Sequence, residues 1–226
     1  MKLKYILLSF LFALGSSCQT NQKKDSSQHR IKIEWVEKVE GDFSFKEKWS
    51  YPEYVYKNRH GQISCDGYCP PRAEKMKGPN GKIYQDSLTE FYKIIDTTHI
   101  FHSIQSEANV YENTVYDHFE FKKMDNGTLK GKTVNTVSGY SHLHIKLKND
   151  SCYAWNEYNS IFDGGNHLFY ANEGRILIDK SLYKQGIVKA DFDFRFTNTL
   201  EVDEELSWKG KIYSKISPDK ARNRSH

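Results

Sequence analysis

Cys65 and Cys69 stand four residues apart in HGQISCDGYCPP, with His60 upstream and Pro70 and Pro71 directly after. Thiols at this spacing can clamp a loop, exchange electrons or share a metal. A thioredoxin-like redox pair needs two intervening residues at the head of a helix in a βαβ setting, and this stretch has neither. A structural zinc takes four ligands, usually from two such pairs. Here His60 and Cys152 would have to complete the set. His142 and His144, in SHLHIKLK, are the second candidate. Residues two apart on a strand share a face, and paired imidazoles do hold metals. Leu143, Ile145 and Leu147 claim the other face as the core side. Both histidines then fall beside Tyr140 and Lys146 on a solvated face. Metal ligation is the alternative reading, with His118 or His167 to complete the site. A third stretch, IFDGGNH, gathers Asp163, Gly164, Gly165 and His167, and reads as a turn between strands. Tyr153, Trp155 and Tyr158 would make either a sugar-binding platform or part of the core. The sequence has no Gly-x-Ser-x-Gly elbow, phosphate-binding loop or His-Glu-x-x-His, so no catalytic residue is expected.

The chemistry of the thiols depends on compartment, and the N-terminus carries an address. Lys2 and Lys4 precede an apolar run from Tyr5 to Leu14. That run is short for a bilayer span and has the length of a signal-peptide core. Gly15, Ser16 and Ser17 follow, and then Cys18. The segment resembles a bacterial lipoprotein leader, which is cut before a cysteine that carries lipid. It departs from that pattern at Gly15, where an aliphatic residue is usual. The resemblance implies export, removal of residues 1–17, and attachment through Cys18 to an envelope membrane, expected to be the outer one. A single acyl chain holds a protein marginally, and two or more hold it stably. Residues 18–30 are polar after the cysteine and read as a tether. In an oxidising compartment, neighbouring cysteines bridge more often than they bind metal. With Cys18 lipidated, three cysteines remain. A Cys65–Cys69 bridge is expected, with a bridge to Cys152, a metal or free thiols as alternatives. No cofactor is expected.

Composition narrows the class further. Removing the leader leaves 31 basic residues against 29 acidic ones, a balance of +2. Nucleic-acid binding would call for a concentrated basic patch, so no such partner is expected. Residues 31–217 have the length of one domain with a sizeable core, followed by a polar tail at 218–226. Many of the 15 Tyr and 13 Phe alternate with polar residues, which favours strands. Asn126-Gly127 marks a hairpin, and Gly174 in ANEGR marks another. Phe192, Phe194 and Phe196 share one face. DSLTEFYKIID reads as the one clear helix, over about residues 87–96. Ser87 and Glu90 form a capping box, and Leu88, Phe91, Tyr92 and Ile95 form an apolar stripe to lie across the sheet. Strands joined by hairpins around one short helix predict an antiparallel β-sandwich or barrel. GIVKADFDFRFTN and LSWKGKIYSKI resemble the C-terminal part of Bacteroidetes-type envelope lipoproteins over roughly 60 residues. That resemblance implies no activity and no site residues. The expectation is a lipid-anchored β-protein that binds or supports rather than catalyses. The alternatives are a metal-dependent envelope enzyme using His142 and His144, or a lipocalin-like carrier of an apolar ligand.

Overall fold

The computed structural model describes residues 29–112, 115–134 and 139–218. The leader, Cys18, most of the tether and residues 219–226 lie outside them. The chain is mainly β, and its main sheet closes into a barrel. In order, β1 is Ile31–Val36, β2 Trp49–Ser50, β3 Val55–Lys57, β4 Ile63–Cys65, β5 Ile100–Phe101 and β6 Ile104–Asn109. Then come β7 His118–Lys123, β8 Leu129–Val134, β9 Ser141–Lys148 and β10 Ser151–Asn159. The last strands are β11 Asn166–Asp179, β12 Ile187–Phe196 and β13 Leu206–Pro218. Three short helices, α1 Pro71–Glu74, α2 Leu88–Ile94 and α3 Lys180–Lys184, interrupt them. β7 to β10 form an antiparallel meander, β1 inserts between β10 and β11, and β12 pairs with β13. β13 also pairs with β7, which closes a ring of eight strands. β6 extends the wall along the first half of β13.

Alternation decides what fills the ring. Phe119, Phe121, Leu143, Ile145, Phe169, Phe192, Phe194 and Trp208 point inward and are almost fully buried. The rings pack on one another, at 5.0 Å between the centroids of Phe119 and Phe121 and 5.2 Å between Phe192 and Phe194. An eight-stranded barrel is just wide enough for side chains to fill, and these fill it. Each buried aromatic or branched side chain contributes about 1.5–3 kcal/mol of transfer free energy.

Several sequence expectations are corrected here. The hairpin at Asn126-Gly127 forms, with Gly127 in the left-handed region at φ +76°. The one at Gly174 does not, because β11 runs through it as a single bulged strand. A Cβ at Gly174 would sit 2.4 Å from the carbonyl oxygen of Asp193, so the glycine serves close backbone approach. Phe43 and Phe45 are spaced two apart, as on one face of a strand, but no strand forms there. They lie at a 3₁₀ turn and form a small outer core with Val39. The Ser87 side chain caps no helix N–H, since a 3₁₀ turn at Gln85–Ser87 already leads into α2. Instead Glu90 pairs with Lys93 at 2.7 Å.

The helix also packs elsewhere than on the sheet. Residues 49–101 leave the barrel as an excursion with its own core of Val55, Cys65, Ala73, Ile83, Phe91 and Ile95. Phe91 is fully buried in it, whereas Tyr92 is 38% exposed and lies off the stripe. Phe91→Ala should therefore lose about 3–5 kcal/mol of stability, and Tyr92→Ala less than about 1 kcal/mol. Denaturant midpoints measured side by side check this, and equal midpoints would contradict the packing.

Candidate functional site on the barrel wall

Closure turns every second residue of β7 to β10 outward. Register then sets those residues in rows that run across the strands. One row is Lys122 opposite Lys130, Lys130 opposite Lys146, and Lys146 opposite Tyr153. The next is Glu120, Lys132, His144, Trp155 and Tyr170. Like charges set directly opposite each other on a sheet destabilise it. Here three lysines stand side by side on adjacent strands. Among the described residues, Lys122, Lys130 and Lys132 have no ion-pair partner, and all three are exposed.

The far side of the same barrel behaves differently. There Arg175 stands opposite Asp193, Asp193 opposite Lys209, and Lys209 opposite Glu107. The signs alternate along that row. Lys209 and Glu107 meet at 2.9 Å, and Arg175 reaches Asp191 at 3.2 Å. One wall thus pairs its charges, whereas on the other Lys122, Lys130 and Lys132 stand without an ion-pair partner among the described residues.

Aromatic and imidazole rings border the lysines. His144 stacks on Trp155 with the rings 4.9 Å apart and only 6° from parallel. Lys146 lies over the Tyr153 ring, 4.5 Å from its centroid. Glu157 holds the arrangement from the side. One of its oxygens lies 2.7 Å from His144 Nε2, and the other accepts from Asn166 at 2.8 Å. A groove of about 400 Å³ runs beside the stack, lined by Glu120, Lys122, Met124, Lys130, Gly131, Lys132, His144 and Trp155.

The sequence candidates are dispersed around this wall. His142 and His144 do share the outer face of β9, but they are half-buried rather than solvated. The His142 ring lies against Tyr116, 5.7 Å between centroids. His118 is buried, and its Nε2 lies 2.9 Å from Ser50 Oγ. That contact clamps β2 of the excursion to β7, with His102 packed edge-on against the His118 ring. His167 pairs with Asp163 at 2.9 Å in the β10–β11 turn. These four histidines are not brought together. Tyr153 and Trp155 face outward, and Tyr158 faces the core. The Cys65 and Cys69 sulfurs lie at disulfide distance, with Cα atoms 5.4 Å apart. Cys152 is free inside the barrel, so the alternative bridge to it does not form, and burial pushes its thiol far above its ordinary range. Among the described residues, the one group of three ligand-type side chains within 4.8 Å is Cys65, Cys69 and Glu74, where the sulfurs already pair with each other. The lysine rows were missed. Alternation in EFKK and LKGKT marks the lysines as outward, but their register depends on distant pairing.

No family model matches the chain, and no curated protein or solved structure matches it either. No helix among the described residues is long and apolar enough to cross a membrane.

The wall also has a pH signature. Burial holds the imidazoles of His118, His142 and His144 below the ordinary value of 6.5. Lys132 adds to this at His142 and His144, and Glu157 opposes it. In the unfolded chain these histidines take up protons first as pH falls. Their contribution is therefore complete above about pH 6.5 and is lost as pH drops below it. The melting midpoint should fall between pH 6.5 and 5, and His144→Gln should flatten that fall. A midpoint that rises on acidification through this window would contradict the assignment.

Proposed function

We propose that this chain is a lipid-anchored binding protein of the cell envelope that works without catalysis. Its ligand surface is the wall formed by β7 to β10, and the ligand is anionic. The observation that carries this reading is the set of exposed Lys122, Lys130 and Lys132, none with an ion-pair partner among the described residues, beside the Trp155–His144 stack. A ligand with negative charge removes the repulsion that the folded chain leaves in place. The leader and Cys18 support the anchor, and the exported setting fits the Cys65–Cys69 pair. A carrier with an apolar lumen is less well supported, because aromatic side chains occupy the interior. A metal enzyme at His142 and His144 is less well supported too, since His144 is already engaged by Trp155 and Glu157.

Two variants test the two halves of this reading. Cys18→Ala protein should wash off membranes without detergent. Lys130→Glu protein should stay on them but lose binding to short polyacrylate at low salt, about tenfold or more. Lys209→Glu, on the self-paired wall, should bind polyacrylate nearly as the wild type does. Equal losses from Lys130→Glu and Lys209→Glu would reject the wall as the site. Unchanged membrane retention of Cys18→Ala would reject the anchor.

A further inference from the structure

We propose that residues 49–101 form an acid-released arm, held on the barrel while His118 is neutral and let go when that ring takes up a proton. On β7, Phe119 and Phe121 point into the barrel, so His118, Glu120 and Lys122 point out. Glu120 and Lys122 are exposed, as outward residues should be. His118, on the same face, is only 5% exposed. The neck of the excursion covers it, where β2 pairs with β5. Ser50 of β2 shares a hydrogen bond of 2.9 Å with His118 Nε2. His102, just past β5, sets its ring edge-on to the His118 ring with the centroids 5.6 Å apart.

Little else holds the arm. Its apolar core is separate from that of the barrel. Among the described residues, the Ser50–His118 bond is the one side-chain hydrogen bond between residues 49–101 and the barrel. The arm's ion pairs, Arg72–Glu90, Lys77–Glu74 and Lys93–Glu90, are internal to it. Ser103 is bonded to the main chain of Asp117 and Phe119, so the hinge lies between Ser103 and the neck. A unit with its own core and its own disulfide can leave the wall without melting the rest of the fold.

A proton on His118 works against the docked state. Nε2 is taken by Ser50, and the buried Nδ1 makes no hydrogen bond. Burial is the main force holding this imidazole below its ordinary value, and His102 beside it adds to that. Asp117, the nearby Phe101 carbonyl and Glu120 act the other way, each more weakly than burial. Asp117 also lies 3.4 Å from His102 Nδ1, and Lys46 and Lys215 share a cleft with His102. His99, the remaining imidazole of the neck, is exposed and stacks on Trp49. Once the arm swings away, His118 returns to water and titrates at about 6.5. The docked form thus binds this proton less readily than the released form, and acid favours release. The hold is complete above about pH 6.5 and weakens by up to about tenfold per pH unit below it, one proton being taken up.

The test is a pair of spin-label distances in the full-length Cys18→Ser chain, with Cys65 and Cys69 kept oxidised. Labels on Lys75→Cys and Asp125→Cys span the arm and the barrel, and labels on Asp125→Cys and Glu201→Cys span the barrel alone. All three positions are exposed. Between about pH 7.5 and about pH 5.5, the arm distance should broaden and shift while the barrel distance stays as it was. His118→Gln should show one arm distribution at both pH values, whether docked or released, because glutamine takes up no proton. Ser50→Ala should move the release to higher pH, and His99→Gln should respond as the wild type does. An arm distance that ignores pH in the wild type overturns the proposal, and so does a His118→Gln chain that still responds. Broadening of the barrel distance together with the arm distance overturns it in favour of general acid unfolding.

Discussion

Ten registered pairs, from Ile187–Lys215 to Phe196–Leu206, join β12 to β13 and turn the main sheet into a ring. Without that ladder, β12 would be a bare edge, and either face of the sheet could be buried. With it, one face has nowhere to go but inward. The side-chain period of two then assigns each residue on eight strands to the lumen or the outside. The lumen is taken by phenylalanines, Trp208 and branched aliphatics, packed ring on ring. Any ligand of this barrel must therefore use its outer walls or its loops. The excursion over residues 49–101 is attached to the ring rather than part of it. It carries a separate core and the disulfide-clamped loop.

Two outer walls built by the same rules differ in charge logic. On the wall of β11, β12, β13 and β6, arginine, aspartate, lysine and glutamate alternate across the strands. Cross-strand pairs of opposite sign contribute roughly 0.2–1 kcal/mol each. On the wall of β7, β8 and β9, lysine meets lysine twice in succession. Of these, Lys122 and Lys130 have no ion-pair partner among the described residues, so their pairing gives up comparable stability without internal return. Sites that break a local rule without internal compensation are where function is expected. The aromatic stack beside the lysines and the half-buried histidines make this a shaped surface rather than a bare charge cluster.

Legibility in the sequence tracked how local each signal is. Leu143, Ile145 and Leu147 announced the inner face of β9, and Phe192, Phe194 and Phe196 that of β12, because alternation needs only one strand. Asn126-Gly127 announced its hairpin, because a tight turn has its own chemistry, although the turn that forms spans Met124 to Thr128 with Gly127 alone of the pair left-handed. Gly174 misled, since a hairpin glycine and a bulge glycine look alike until a neighbouring backbone crowds one of them. The stripe of α2 was readable at Phe91 and Ile95, but its partner was not, because the excursion core joins residues from Val55 to Ile95. Tyr153, Trp155 and Tyr158 looked alike, and parity separates Tyr158 from the other two only once β10 has an inside. The lysine row is the extreme case. Its first and last members are 24 positions apart, and only the registers of β7–β8 and β8–β9 bring them abreast.

The central claim is that Lys122 and Lys130 are held opposite each other against their own repulsion. The melting midpoints of Lys130→Gln and Lys209→Gln at low salt and without ligand test it most directly. Removing one of the two opposed charges should stabilise the fold by about 0.2–1 kcal/mol, an upward shift of roughly 0.5–4 °C. Removing Lys209 from its alternating row should lower the midpoint or leave it unmoved. Added salt should shrink both differences, because these charges are exposed and screened within about 10 Å. A Lys130→Gln midpoint below that of the wild type at low salt would contradict the account.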